Sequence, residues 1–152
     1  MDKIILALME LIKQNLPEVN YIDEYYGQLE DPSEHNPVTF PCVLIENPDA
    51  DWEDLAPGVQ NGSVTMTFRL AIDCYDDTHY GSGTEDKIIE RHELNQRLYH
   101  TLQNITVIDT MDEITRIKST NYTIGGGIKV YETICRFDFH DSTAQQQSLG
   151  HY

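Results

Sequence analysis

The stretch at residues 63–75 constrains the fold more than any other part of the chain. Apolar and polar residues alternate along it, and the apolar set is Val64, Met66, Phe68, Leu70, Ile72 and Cys74. Successive side chains of a strand point to opposite faces, so this period of two predicts one long β-strand with a single buried face. We expect the apolar set to lie in the core, underneath helices.

Two other segments have the spacing of amphipathic helices. In residues 2–16 the apolar positions recur at spacings of one, three and four, and Pro17 ends the helix. A second helix is predicted at residues 85–103, with Thr84 as its N-cap. The expected core face of the second helix consists of Ile88, Ile89, Leu94, Leu98, Tyr99 and Leu102.

Shorter apolar or aromatic runs predict the remaining strands. These runs are residues 21–26, 42–46, 105–108, 114–124 and 130–139. Gly125, Gly126 and Gly127 predict the turn of a hairpin between the last two strands. The predicted loops are residues 31–37, 49–62 and 76–84. The pattern as a whole predicts an α+β fold, with a mixed, mainly antiparallel sheet of about five or six strands and two helices packed on one face.

Chain length limits how these elements are organised. A chain of 152 residues is close to the usual size of one domain, so we expect a single α+β domain at residues 1–140. Residues 141–152 contain three consecutive glutamines and too few apolar residues to pack. They are expected to form a flexible C-terminal tail.

The charge balance excludes two classes of partner. The chain has 10 Lys and Arg against 26 Asp and Glu, which gives a formal net charge of −16. Binding to phosphates requires clusters of cations, so we expect no specific nucleic-acid binding and no membrane partner. The apolar run at residues 4–9 follows Asp2 and is interrupted by Glu10, which is unlike a signal peptide and favours a cytoplasmic protein.

Possible metal and phosphate motifs are incomplete. His92 and Glu93 begin a zinc-protease pattern in which Gln96 replaces the second histidine, and His100 lies about 12 Å further along a helix. The glycine triplet leads into a strand, unlike a phosphate loop. The carboxylates of Asp49, Asp51, Glu53 and Asp54 could coordinate calcium, but the turn glycine and the bidentate glutamate of such a loop are missing, which favours a solvated acidic loop.

The cysteines do not complete a catalytic site either. Cys42, Cys74 and Cys135 lie far apart in apolar stretches, which predicts reduced and buried thiols and not a disulfide framework. No serine lies in a Gly-x-Ser-x-Gly sequence. The sequence therefore predicts a protein that is not an enzyme and uses no catalytic residue, cofactor or metal.

The order of elements resembles that of the tail-terminator and tail-completion proteins of long-tailed phages and prophages. The resemblance covers residues 1–142 and begins with the helix at residues 4–16 and the strand after it. It continues through the sequence FPCVLIE at 40–46, the sequence RLAIDCY at 69–75 and the helix from Glu85, and it ends in RFDF at 136–139.

The resemblance implies a structural protein that joins head and tail. Such proteins form a ring, commonly of six subunits, that caps the tail tube and meets head-completion proteins. It implies a location in the cytoplasm of the host bacterium during assembly, and in the virion of an active phage. Two alternatives remain open from the residues alone: a protein-binding module that adds a partner strand to its sheet edge, and a regulatory subunit of an enzyme.

Two segments have apolar or aromatic residues where a monomer would expose them. Trp52, Leu55 and Val59 lie in an otherwise acidic segment, and His79 and Tyr80 lie in the predicted turn before the second helix. Large apolar side chains in such places more often meet a partner than water. We expect these five residues to make subunit or partner contacts.

Overall fold

The computed structural model describes residues 1–30 and 38–145 of the chain. Its two helices in that part are α1 (Asp2–Asn15) and α2 (Asp86–Leu102). Its strands are β1 (Tyr21–Glu24), β2 (Cys42–Ile45), β3 (Asp49–Ala56), β4 (Val59–Asp73), β5 (Thr115–Ile124) and β6 (Ile128–Asp141). The predicted loop at 31–37 and residues 146–152 of the predicted tail at 141–152 lie outside the described residues. Asp141, the first residue of the predicted tail, is the last residue of β6.

All six strands form one sheet centred on β4. One edge of β4 pairs with β6 along its length, and β6 pairs with β5. The other edge of β4 pairs with β3 at residues 59–65 and with β2 at residues 68–71, and β1 lies outside β2. β1 and β2 are parallel and the other pairs are antiparallel, which confirms the predicted mixed, mainly antiparallel sheet.

The core lies between the sheet and the two helices, as the alternation in β4 predicts. Val64, Met66, Phe68, Leu70 and Ile72 are buried, and their neighbours in the core include Ile4, Leu8 and Ile12 of α1 and Leu94, Leu98 and Leu102 of α2. Cys74 is only half-buried and packs at the margin of this core. Both helices therefore cover the same face of the sheet, which we call the helix face.

The opposite face, which we call the open face, is covered only at one end among the described residues. A small second cluster there joins Leu29, Cys42, Leu44, Ala71, Ile128 and Val130. Further along the open face, polar residues such as Thr65, Thr67 and Arg136 stand on β4 and β6. Most of the open face is thus a polar, exposed surface.

The prediction of a loop at 49–62 is wrong. This segment forms β3, a tight turn at Pro57 and Gly58, and the beginning of β4. Gly58 has a φ of 76°, which only glycine adopts readily. Nearly every residue of β3 is exposed on both faces, so the strand has no apolar alternation by which the sequence could reveal it.

Two other local predictions are wrong. Residues 105–108 form no strand; Val107 and Ile108 instead pack against the core as irregular chain, which accounts for the apolar run. Thr84 is not the N-cap of α2, because the helix begins at Asp86 and the hydroxyl of Thr84 donates to the carbonyl of Asp77.

The predicted core face of α2 is correct only in its second half. Leu94, Leu98 and Leu102 are buried, but Ile89 is 60% exposed. The inward stripe extends backwards from Leu94 to Arg91, which is three residues earlier and buried. Ile88, at the start of this stripe, is exposed. Tyr99, which follows Leu98 of the stripe, is half-buried.

Candidate interaction surfaces

Three neighbouring strand segments form what we call the arm: β3, residues 59–63 of β4 and residues 138–141 of β6. Trp52 pairs with Gly62, and Gly62 pairs with Phe139 on its other side. The indole ring lies over Gly62 and meets the Phe139 ring edge-on, with 6.2 Å between ring centroids. A side chain at Gly62 would occupy the same space, since an added Cβ would lie 2.7 Å from Cζ3 of Trp52.

This contact places Trp52 at the boundary between core and solvent. Phe139 packs against the core, yet 44% of Trp52 remains exposed. Further towards the tip of the arm, Leu55 is 54% exposed and Val59 is half-buried. The arm therefore presents Trp52 and Leu55 to solvent on a strand that otherwise has four carboxylates.

The other predicted contact residues lie at the opposite end of the sheet. His79 and Tyr80 follow the end of β4, in the loop that leads to α2, and Tyr80 is 99% exposed. The imidazole Nδ1 of His79 lies 2.7 Å from a carboxylate oxygen of Asp77. From Gly62 to Asp73 the strand rises about 36 Å, at about 3.3 Å per residue. The structure therefore does not bring the five predicted residues together but separates them into two surfaces.

The open face holds a charge cluster around a largely buried arginine that the sequence does not reveal. Arg69 of β4 is 13% exposed; its Nη2 lies 3.1 Å from Glu46 and its Nε 2.9 Å from Glu132. The guanidinium also lies over the ring of Tyr25, 4.3 Å from the centroid. The only sign of this cluster in the sequence is an arginine among the polar positions of residues 63–75. Paired on two sides, Arg69 stabilises the contact of β4 with its neighbours.

A groove near this cluster has a volume of about 540 Å³ and is lined by Tyr25, Leu29, Glu30, Tyr122, Ile124 and Gly125. Burial, followed by the charge of Glu30, raises the pKa of Tyr25 to about 12, and burial also raises the pKa of Tyr122. Both phenols therefore remain protonated near neutral pH and are poor general bases. The groove therefore contains polar side chains, but neither of its tyrosines acts as a general base near neutral pH.

The other chemical candidates of the sequence are also placed by the structure. Cys42 and Cys135 are buried as predicted, and burial raises the pKa of both thiols to about 12, so neither is a ready nucleophile. His92 stacks edge-on against Tyr131 at 5.8 Å. Gly126 and Gly127 have φ of 83° and 73° and make the predicted hairpin turn.

The acidic residues considered for calcium stand on a strand. Asp49, Asp51 and Glu53 pair with open-face residues of β4, whereas Asp54 lies on the helix face. In residues 1–30 and 38–145, no group of three or more His, Cys, Asp or Glu side chains is arranged to hold a metal ion. Neither α1 nor α2 is long and apolar enough to cross a membrane.

The comparisons with known proteins bear on the fold. No protein-family model matches the chain, and no curated protein matches its sequence. A solved chain from the virion of a native gene transfer agent (GTA) particle is similar in structure, with a TM-score of 0.52 and 6% sequence identity. The match covers 88% of this chain and 84% of that chain. This α+β fold is therefore shared, over nearly its whole length, with a chain of a virion.

Proposed function

We propose that this chain is a structural subunit of the head–tail junction of a phage, prophage or phage-like particle, as a tail-terminator or tail-completion protein. The observation that carries the proposal is the fold likeness to a virion chain over 88% of the residues. It agrees with the family that the order of elements resembles. The protein would act without catalysis, in the cytoplasm of the host during assembly and then in the particle.

The positions of the exposed aromatic residues fit a subunit that lies between two different partners. Trp52 and Leu55 lie on the arm, and Tyr75 and Tyr80 lie beyond the other end of β4. A ring that caps a tail tube and receives head-completion proteins needs one contact surface at each end. We infer that the arm and the loop before α2 serve these two ends, or the contacts between subunits.

The charge also suits a ring through which DNA passes. Six copies would have a formal charge of 6 × −16 = −96. Carboxylates repel phosphates, so a lumen of this charge would let DNA slide without holding it. Because acidity also aids solubility, the charge supports the proposal less than the fold does.

A second candidate function is a module that adds a partner strand to its sheet. The observation that favours it is that no described strand pairs with the outer edge of β3 or of β5. At the start of β5, the backbone N–H of Arg116 donates to the side chain of Gln103. Such edges bind extended peptides through main-chain hydrogen bonds. A stable monomer that captures a peptide strand would support this function over a ring.

The experiment that tests the proposal replaces Trp52 with glutamate and follows folding and association together. We expect Trp52→Glu to remain folded, because Trp52 is half-exposed on the arm, and to associate at least tenfold more weakly than the unmodified chain. The matched control is Ile89→Glu, which alters an apolar residue on α2 that is 60% exposed, against 44% for Trp52, and should associate normally. Two results together would contradict the proposal: Trp52→Glu unfolds, and the unmodified chain does not associate at any concentration.

A further inference from the structure

The outer edges of β3 and β5, with which no described strand pairs, have opposite charge. β3 contains Asp49, Asp51, Glu53 and Asp54 and no cation. β5 contains Arg116 and Lys118 and no carboxylate, in a chain that has 26 acidic and 10 basic residues. Long unpaired edges are normally shortened, covered or charged against association. Two β3 edges would repel each other, as would two β5 edges, whereas β3 and β5 attract.

We propose that β3 of one subunit pairs with β5 of the next, so that the sheet continues from subunit to subunit. This inference rests on the proposed ring and names its interface. The contact joins two different surfaces, which is the heterologous type that closes rings. Its occupant is a second copy of this chain.

The topology fixes the direction of this pairing. β3 and β6 run antiparallel to β4, and β5 runs antiparallel to β6. β5 therefore runs in the direction of β4, and β3 runs against it. Copies in a ring are related by rotation about one axis and keep these directions. The new pair of strands is thus antiparallel, like most pairs in the sheet.

The outline of the sheet leaves a place for the incoming strand. β1 projects one strand beyond β2 but ends beside residue 68 of β4, at the pairs Glu24–Ile45 and Ile45–Phe68. Beyond that end, no described strand pairs with the outer edge of β3, which lies beside residues 59–65 of β4. β5 pairs with β6, and through β6 it is level with residues 65–73 of β4. It is long enough to fill this recess.

A single stagger brings the charges together. Lys118 lies level with Thr67 of β4, and Glu53 lies level with Asn61, six residues away along β4. If the neighbouring subunit is shifted by six residues along the strand direction, its Lys118 lies opposite Glu53, and both residues are on the open face.

The same slide places Arg116 of the neighbour opposite Asp54, both on the helix face. Within its own subunit, the guanidinium of Arg116 lies over the ring of Tyr99, 3.6 Å from the centroid. Arg116 lies level with Met66 of β4 and Asp54 with Gln60, which is again a separation of six residues. An even number of residues is required, because an odd slide would set open-face residues against helix-face residues. With a shift of six residues, the incoming strand also ends just short of β1.

The stagger sets the tilt of the strands in the ring. Six residues correspond to about 20 Å along the strand, and four strand spacings per subunit correspond to about 19 Å across it. The strands would then incline by roughly 45° to the ring axis, which is close to the tilt of strands in closed barrels. The geometry is thus one that extended sheets already adopt.

Disulfide trapping tests this interface directly. Directly opposed residues of antiparallel strands are close enough to form a disulfide. We expect Glu53→Cys combined with Lys118→Cys to give, in oxidised glutathione, a ladder of cross-linked subunits up to a closed ring on non-reducing gels. All variants are made in a Cys74→Ser chain, because Cys74 is half-buried whereas Cys42 and Cys135 are buried. In that chain, neither single variant should form the ladder, and neither should Cys74→Ser alone.

A control pair separates this register from an unstaggered ring. Without a stagger, Thr120 of β5 would be level with Asp23 of β1. Asp23→Cys combined with Thr120→Cys should therefore give no ladder. A ring that forms, as measured by light scattering, but cross-links only through this control pair or through neither pair would overturn the interface and leave the proposed function intact. Failure to associate at any concentration would overturn both.

Discussion

Trp52 and Gly62 show how one residue pair shapes the arm. The pairing of the two strands places the indole over a position that has no side chain, and this lets the ring lie flat enough to reach Phe139. An aromatic residue that covers a glycine on a neighbouring strand is a recurring way to stabilise a sheet edge. The glycine is thus required by the tryptophan and not by a turn, since its φ is not positive.

Gly62→Ala should therefore displace Trp52 and leave the rest of the fold intact. The new methyl group would overlap the indole ring, and the loss of the Phe139 contact should lower the free energy of unfolding by about 1 kcal/mol. Because Trp52 is the only tryptophan, its fluorescence reports this change alone, and we expect the emission to shift to longer wavelength. The suitable control is Gly125→Ala, because a Cβ added at Gly125 meets no atom within 4 Å. Gly81→Ala is not suitable, because Gly81 has a φ of 87°. An unchanged spectrum for Gly62→Ala would contradict the described stacking.

At the scale of elements, the sequence predicts the buried parts of the fold far better than the exposed ones. β4 is recognisable because its two faces meet different surroundings, and only that difference produces alternation. β3 has water on both faces, so pairing with β4 and not its own residues makes it a strand. The register that places Trp52 beside Phe139 and buries Arg69 between Glu46 and Glu132 depends on pairings between distant residues, which no local pattern records.

The alternation of β4 leads to a prediction about stability. Phe68 is fully buried between the helices and the sheet, so Phe68→Ala should lower the free energy of unfolding by about 3–5 kcal/mol. Thr67→Ala, on the open face of the same strand, should cost less than 1 kcal/mol, because surface substitutions have small effects. Chemical denaturation of both variants measures the difference. Equal losses would mean that the two faces of β4 are assigned the wrong way round.

The whole molecule is asymmetric in a way that suits assembly. Its two helices lie on one face of the sheet, Trp52 and Tyr80 are exposed towards opposite ends of β4, and the outer edges of β3 and β5 differ in charge. The sequence predicted the fold class, and four of the five predicted contact residues are exposed, whereas Val59 is half-buried. It could not predict that these residues lie on two separate surfaces, because their separation is set by the length and direction of β4 in the folded sheet.

The mass of the unmodified chain in solution, measured by light scattering up to its highest soluble concentration, tests the central claim most directly. A closed ring predicts that the mass rises with concentration and then stops at a whole-number multiple of 17.5 kDa, and six copies would weigh 6 × 17.5 = 105 kDa. A mass of one chain at every concentration, or a final state of two chains, would contradict the ring.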